Sequence, residues 1–221
     1  DAVPPSLREL LLREFDDLAD DEQRLLAAAS VAGGDHAGVY IEHAVLRWIK
    51  EMLELDPSWG SVLTSGGSGA NLIGLATARN ELLLRTGWDV REKGLSGAPH
   101  IVVYATKEGH SSLIKAIELL GVGRNAIRFV PLGVDGRMDV GALQSMIERD
   151  RPEAGIVCAS AGTVNSGAVD PLSDIAGLAA LHGLWFHVDG AYGAVGRIVP
   201  SLRHLYRGLE RADSLSVDPH K

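Results

Sequence analysis

Short apolar runs alternating with longer helical ones predict an α/β fold, a mostly parallel sheet flanked by helices and preceded by a helical arm. Two further features point the same way. Two apolar runs, Leu184-Trp185-Phe186 and Ser214-Leu215-Ser216-Val217, lead directly into polar groups, as strands do when they deliver side chains to one sheet edge. A glycine-rich turn, Ser65-Gly66-Gly67-Ser68-Gly69, stands directly before a helical run.

In chain order, Ser6 to Val31 carries leucines at helical spacing (Leu7, Leu10, Leu11, Leu18, Leu25, Leu26) and reads as one or two amphipathic helices, an arm of the kind that packs on a partner subunit. Ala32 to Gly38 reads as a loop, and Ile41 to Leu55 as a further helix stopped by Asp56-Pro57-Ser58-Trp59-Gly60. Residues 1–55 are therefore expected to form an amino-terminal helical segment and 56–221 a larger domain. Strands are predicted at Ser61–Thr64, His100–Tyr104, Ile127–Leu132, Gly155–Ser160 and Leu184–Val188. Helices are predicted between them at Ala70–Thr86, Ser111–Leu120, Val140–Arg149 and Pro171–Leu181.

With 221 residues, 46% of them hydrophobic, the chain can bury a sizeable core. A formal charge of -8 and the lack of any basic run argue against nucleic-acid and membrane-surface partners. No apolar stretch reaches the ~18 residues of a membrane span, no amino-terminal signal is recognisable, and a cytoplasmic location is expected. The single cysteine, Cys158, has no partner for an internal disulfide and reads as a packed strand residue. The chain opens at Asp1 and stops on Lys221, which reads as a fragment, a processed chain or an incompletely represented sequence.

Lys221 and Asp189 are the residues on which a chemical reading turns. A lysine amine captures an aldehyde, and a carboxylate facing a pyridine nitrogen keeps it protonated; together they suit pyridoxal phosphate, an electron sink. The glycine-rich turn supplies a place for the phosphate, because small residues let the backbone approach an anion at the helix N-terminus, with Ser68 adding a hydroxyl. His110, at another helix start, is suited to stack on a flat ring, or simply to cap that helix; Thr163 follows a strand and is suited to lie beside the ring oxygen. A metal site built from His187-x-Asp189 and Asp218-x-His220 gives no role to Lys221 or the glycine turn, and no metal is expected.

Taken together, Thr64-Ser65-Gly66-Gly67-Ser68-Gly69-Ala70-Asn71-Leu72, Gly109-His110-Ser111-Ser112, Gly162-Thr163, Phe186 to Gly193 and Ala212 to Lys221 resemble the group II pyridoxal-phosphate-dependent amino-acid decarboxylases. The resemblance implies a fold type I large domain and a homodimer with active sites at the subunit interface. It also implies roles for single residues. Lys221 would hold the cofactor's aldehyde covalently, Asp189 would pair with the ring nitrogen, His110 would stack on one ring face and Ala191 would pack on the other. Gly67, Ser68 and His220 would hold the phosphate, and Thr163 would lie near the ring oxygen. Gly69 stands where many members have glutamate, and Gly190 where alanine is commoner. Members continue past the lysine into a small carboxy-terminal domain and a mobile loop, which this sequence does not contain.

The expected function is decarboxylation of an L-amino acid, with hydrophobic or aromatic side chains favoured, to the amine and carbon dioxide. The same resemblance admits a pyridoxal-phosphate aldehyde synthase or carbon–carbon lyase. From another class comes a non-catalytic, truncated relative serving as a dimerisation or regulatory subunit.

Overall fold

The computed structural model describes residues 35–220; the predicted arm over Ser6–Val31 and Lys221 itself lie outside the described residues. The chain divides into two compact units. Of the described residues, one unit comprises 35–51 together with Pro57–Leu63, and the other comprises Met52–Asp56 and 64–220.

In the first unit, helix α1 (Asp35–Met52) starts within the stretch read as a loop and stops before Leu55. Asp35 to Gly38 is helical because a glycine in a first turn does not break a helix whose later residues supply the periodicity. Lys50 Nζ donates to the carbonyls of Pro57 (2.7 Å) and Trp59 (3.2 Å), fastening the turn at the Asp56–Gly60 stop signal. The strand predicted at Ser61–Thr64 does not form. Val62 and Leu63 are exposed, and the Leu63 N–H is taken by the Glu42 carboxylate (3.2 Å) rather than by a neighbouring strand.

The second unit carries a five-stranded, fully parallel sheet. Its elements are α2 (Gly67–Arg85), α3 (Val90–Lys93), β1 (Ile101–Ala105), α4 (Ser111–Leu119), β2 (Ile127–Phe129), α5 (Val140–Asp150), β3 (Ala154–Ser160), α6 (Leu172–Leu181), β4 (Trp185–Asp189) and β5 (Ser214–Ser216). The strand order is β2-β1-β3-β4-β5. β2 is shorter than its apolar run predicts: at Val130-Pro131 the run reaches a proline, which has no N–H for a ladder.

Alternation assigns the two faces of the sheet. Ile101, Val103 and Ala105 of β1, Ala154, Ile156 and Cys158 of β3, and Trp185 of β4 share one face and pack against Leu75, Ala78, Leu82 and Leu83 of α2 and Leu113, Ala116 and Ile117 of α4. The opposite face presents Tyr104, Val157, Phe186 and Val188, all buried, and Tyr104 reaches the α5 carboxylate of Asp150 (3.2 Å). Both faces being covered explains why these strands read as near-continuous apolar runs. Burial, with a smaller push from the Asp189 charge, raises the Cys158 thiol well above its usual range, in keeping with a packed residue.

β1 and β3 are neighbours, but the chain leaves β1 for β2 on one side and β3 for β4 on the other. The carboxyl ends of these two strands therefore open a crevice between diverging loops, the position where open α/β sheets bind ligands.

Candidate active site

That crevice is a recess of about 330 Å³ lined by Gly67, Asn71, His110, Ser112, Ser160, Gly162, Thr163, Val164, Asp189, Ala191 and Tyr192. Five of the residues selected from sequence thus come together from separate elements: Gly67 from the start of α2, His110 from the loop after β1, Thr163 from the loop after β3, and Asp189 and Ala191 from the end of β4. Ser68 and His220 are exposed and do not line the recess, and Lys221 is outside the described residues.

Each group has a local reason for its position. Helix α2 begins at Gly67, ahead of the predicted start at Ala70. Its N-cap Gly66 makes no side-chain capping bond, and its first turn contains no acidic residue. Its leading N–H groups are left for an anion, since an α-helix never satisfies them internally. His110 is itself the N-cap of α4, its Nδ1 accepting from the Ser112 N–H (3.2 Å) and meeting Ser112 Oγ (2.8 Å). The capping alternative read from sequence is therefore realised together with a place in the recess wall.

Thr163 sits in a turn closed by its own N–H to Ala168 O (2.9 Å) and by Gly167 N–H to Thr163 O (2.8 Å). Buried Asp170 braces this loop by accepting from Ser160 N and Met138 N, both at 2.7 Å. Gly162, at φ +101°, stands against Gly193: a Cβ on Gly162 would lie 2.8 Å from the Gly193 Cα, so two backbones touch where side chains would otherwise hold them apart. Gly190 is equally constrained. An alanine there, the commoner residue of the resemblance, would meet Ala194 Cβ at 2.6 Å.

The floor of the recess is a polar cluster that is almost wholly dry. Asp189, 6% exposed, accepts at Oδ1 from Ala191 N (3.1 Å) and at Oδ2 from Asn71 Nδ2 (2.9 Å), and the single proton of Ser216 Oγ is shared between Asp189 Oδ1 (3.2 Å) and the nearer Asn71 Oδ1 (2.7 Å). Asn71 Nδ2 also donates to Ser112 Oγ (2.9 Å), while Asn71 Oδ1 accepts from Ser216 Oγ (2.7 Å) and meets His187 Nε2 (3.0 Å). His187 Nδ1 meets Ser214 Oγ (2.8 Å), which accepts from Trp185 Nε1 (2.9 Å). Desolvation pushes His187 down to about 4 against the opposing pull of Asp189, so the imidazole is neutral at physiological pH. With both ring nitrogens engaged in the cluster, His187 has none left for a metal, and no group of three ligating side chains exists among the described residues.

Asn71, Ser112, His187, Ser214 and Ser216 carry no ring-holding role in the reading from sequence. Asn71 and Ser112 stand inside blocks already singled out, and the period-two spacing of His187 with Asp189 and of Ser214 with Ser216 is the available signal, since such pairs share a strand face.

Helix α2 crosses this cluster at Gly74, where a Cβ would lie 3.0 Å from His187 Cε1 and 3.1 Å from Nδ1. Gly74→Ala is expected to lower the midpoint of urea unfolding. An exposed helix interior would gain ~1 kcal/mol from this exchange; here the ring cannot move without giving up a bond at Nδ1 or Nε2. A midpoint that rises would show that the cluster yields.

The pattern described as the pyridoxal-dependent decarboxylase conserved domain matches residues 36–221. The chain belongs to this decarboxylase family. Among curated relatives, the acidic amino acid decarboxylase GADL1 of Mus musculus is 36% identical over 184 residues, 82% of this chain and 32% of the relative. Among solved structures, the glutamate decarboxylase domain of the diaminobutyrate-pyruvate transaminase and L-2,4-diaminobutyrate decarboxylase from Vibrio parahaemolyticus superposes with TM-score 0.78 at 30% identity, covering 100% of this chain and 47% of that one. Oryza sativa TDC with PLP and tryptamine superposes with TM-score 0.71 at 35% identity, covering 81% and 40%. The chain spans about a third of the length of the curated relatives it matches. The sheet and helices agree with these decarboxylase structures, as fold type I requires.

Proposed function

We propose that the protein of which this chain forms part is a pyridoxal-phosphate-dependent decarboxylase that converts an L-amino acid to its amine and carbon dioxide. The observation that carries the reading is the buried Asp189 carboxylate. It is held by the Ala191 N–H, the Asn71 amide and a hydroxyl shared with Asn71, at the floor of a recess whose walls offer an uncapped helix N-terminus, an imidazole and a threonine.

The residues fit the cofactor. The bare first turn of α2 with buried Gly67 suits a phosphate, and the Asp189 carboxylate, whose two oxygens each keep acceptor capacity beyond one N–H donor, suits a protonated ring nitrogen. His110 and Ala191, which line the recess, are proposed to hold opposite faces of a planar ring and Thr163 to meet its oxygen; Lys221, outside the described residues, is proposed from the sequence motif to hold its aldehyde. Ser68 and His220 are proposed as phosphate contacts from their places beside the glycine turn and the lysine in sequence. When bound, pyridoxal phosphate supplies an electron sink for the charge left as carbon dioxide departs. The protein's part is to keep the ring nitrogen protonated through Asp189, to hold the ring between His110 and Ala191, and to exclude water from the floor.

The assembly is proposed to be a cytoplasmic homodimer with sites at the subunit interface. Exposed Ile41, Trp48 and Met52, which share one side of α1, support a covered face. No helix among the described residues is long and apolar enough to cross a membrane, and buried Cys158 is the single cysteine.

The full-length protein is expected to be yellow with bound pyridoxal phosphate and to release carbon dioxide from one member of an L-amino-acid panel. Because relatives are named for acidic and for aromatic substrates, the panel must include both. Release of ammonia and peroxide would convert the reading to aldehyde synthesis; a colourless protein that takes up no cofactor would leave the non-catalytic reading.

A further inference from the structure

The hydrogen bonds beneath the recess run in one direction, and their two ends fix it. At one end the Asp189 carboxylate only accepts, so Asn71 must turn Nδ2 towards it and Oδ1 towards His187 and Ser216. With an oxygen facing it at 3.0 Å, His187 Nε2 carries the ring proton. At the other end Trp185 Nε1 only donates; it fills a lone pair of Ser214 Oγ and leaves that hydroxyl's own proton for His187 Nδ1. The neutral ring enforced by burial is the form this direction requires.

The second Nδ2 hydrogen of Asn71 goes to Ser112 Oγ. The Ser112 hydroxyl proton is then free for His110 Nδ1, where the Ser112 backbone N–H also arrives. His110 Nδ1 therefore accepts, and its Nε2 carries the proton. We propose that Asn71 is a positioning residue for both Asp189 and, through Ser112, His110, and that His187 protonated on Nε2 fixes which way the Asn71 amide faces.

One amide thus orients the two groups expected to hold the ring, from an element, α2, that also offers the phosphate cradle. The bond directions stand on this chain alone; their consequence for turnover rests on the proposed cofactor placement.

Two readouts test this on the full-length protein. The first is magic-angle-spinning NMR with nitrogen- and carbon-labelled histidine rings, assigned with His110→Gln and His187→Gln. Both rings are expected to carry a single proton, on Nε2; a proton on Nδ1 of either would overturn the inference. The second is Asn71→Asp, which keeps the acceptor for His187 and Ser216 but replaces Nδ2, the source of both donated protons, with one carboxylate oxygen. The Ser112 hydroxyl is then expected to turn towards the introduced carboxylate, shifting the His110 Nδ1 resonance. The value of kcat is expected to fall about tenfold or more with KM little changed, as for loss of one charge-assisted hydrogen bond.

An unmoved His110 resonance in a cooperatively folded Asn71→Asp protein would overturn the coupling. Should that variant fail to fold, Ser112→Ala removes the same hydroxyl and is read against the same resonance. A wild type that binds no pyridoxal phosphate would remove the functional reading and leave the tautomer result intact. Reversed tautomers in a protein that does decarboxylate would remove this inference alone.

Discussion

Lys221→Ala is expected to leave no borohydride-reducible adduct and no detectable release of carbon dioxide, while free pyridoxal phosphate still associates weakly. The separation is physical. Phosphate, ring nitrogen and ring faces are proposed for α2, Asp189, His110 and Ala191, which the substitution leaves in place, whereas the amine proposed to capture the aldehyde is removed outright. Peptide mapping after reduction of the wild type checks the assignment, with the label expected on Lys221. An adduct that persists in the variant would move the covalent role to another lysine.

Asp189→Asn carries the second large effect, and the geometry dictates its form. Oδ1 receives the fixed Ala191 N–H and a share of the Ser216 hydroxyl proton, so the single amide oxygen of an asparagine would take that position. Its NH₂ would then face Asn71 Nδ2, donor against donor, and would also point a donor at the ring nitrogen, which could no longer be held protonated. Turnover is expected to fall about 10²–10³-fold, the range for loss of one preorganised charge-stabilising group, with cofactor still bound through its phosphate. Stopped-flow spectra and single-turnover carbon dioxide release measure both parts. Near-normal turnover would show that the ring nitrogen is not Asp189's partner.

Much of this arrangement was legible because each recess group ends or follows a periodic segment. Thr163 and Asp189 were readable from strands buried on both faces, His110 from a helix start, and Gly67 from a turn of small residues. The unread part lies where sequence carries no period. Ser61–Thr64 has the apolar pair of a strand, yet whether a strand forms depends on a ladder partner, and Glu42 took the Leu63 N–H instead. Asn71 gave no sign of its role, because an asparagine inside a helix reads as a surface residue until the fold brings it under Asp189. Gly74 was equally silent: its reason is the His187 ring, remote along the chain and reached only through the stacking of α2 on β4 and β5. Asp170 likewise braces Thr163 through backbone groups that no side-chain pattern records.

The contact between Gly162 and Gly193 has a practical consequence for anyone wishing to change what this recess accepts. There the loops after β3 and β4 are gauged by main chain against main chain, so saturation mutagenesis at those two positions is expected to return misfolded clones rather than altered preferences. Variation belongs instead at Val164 and Tyr192, which line the same opening, are 54% and 49% exposed, and can change in bulk and polarity without displacing the backbone that sets the gauge.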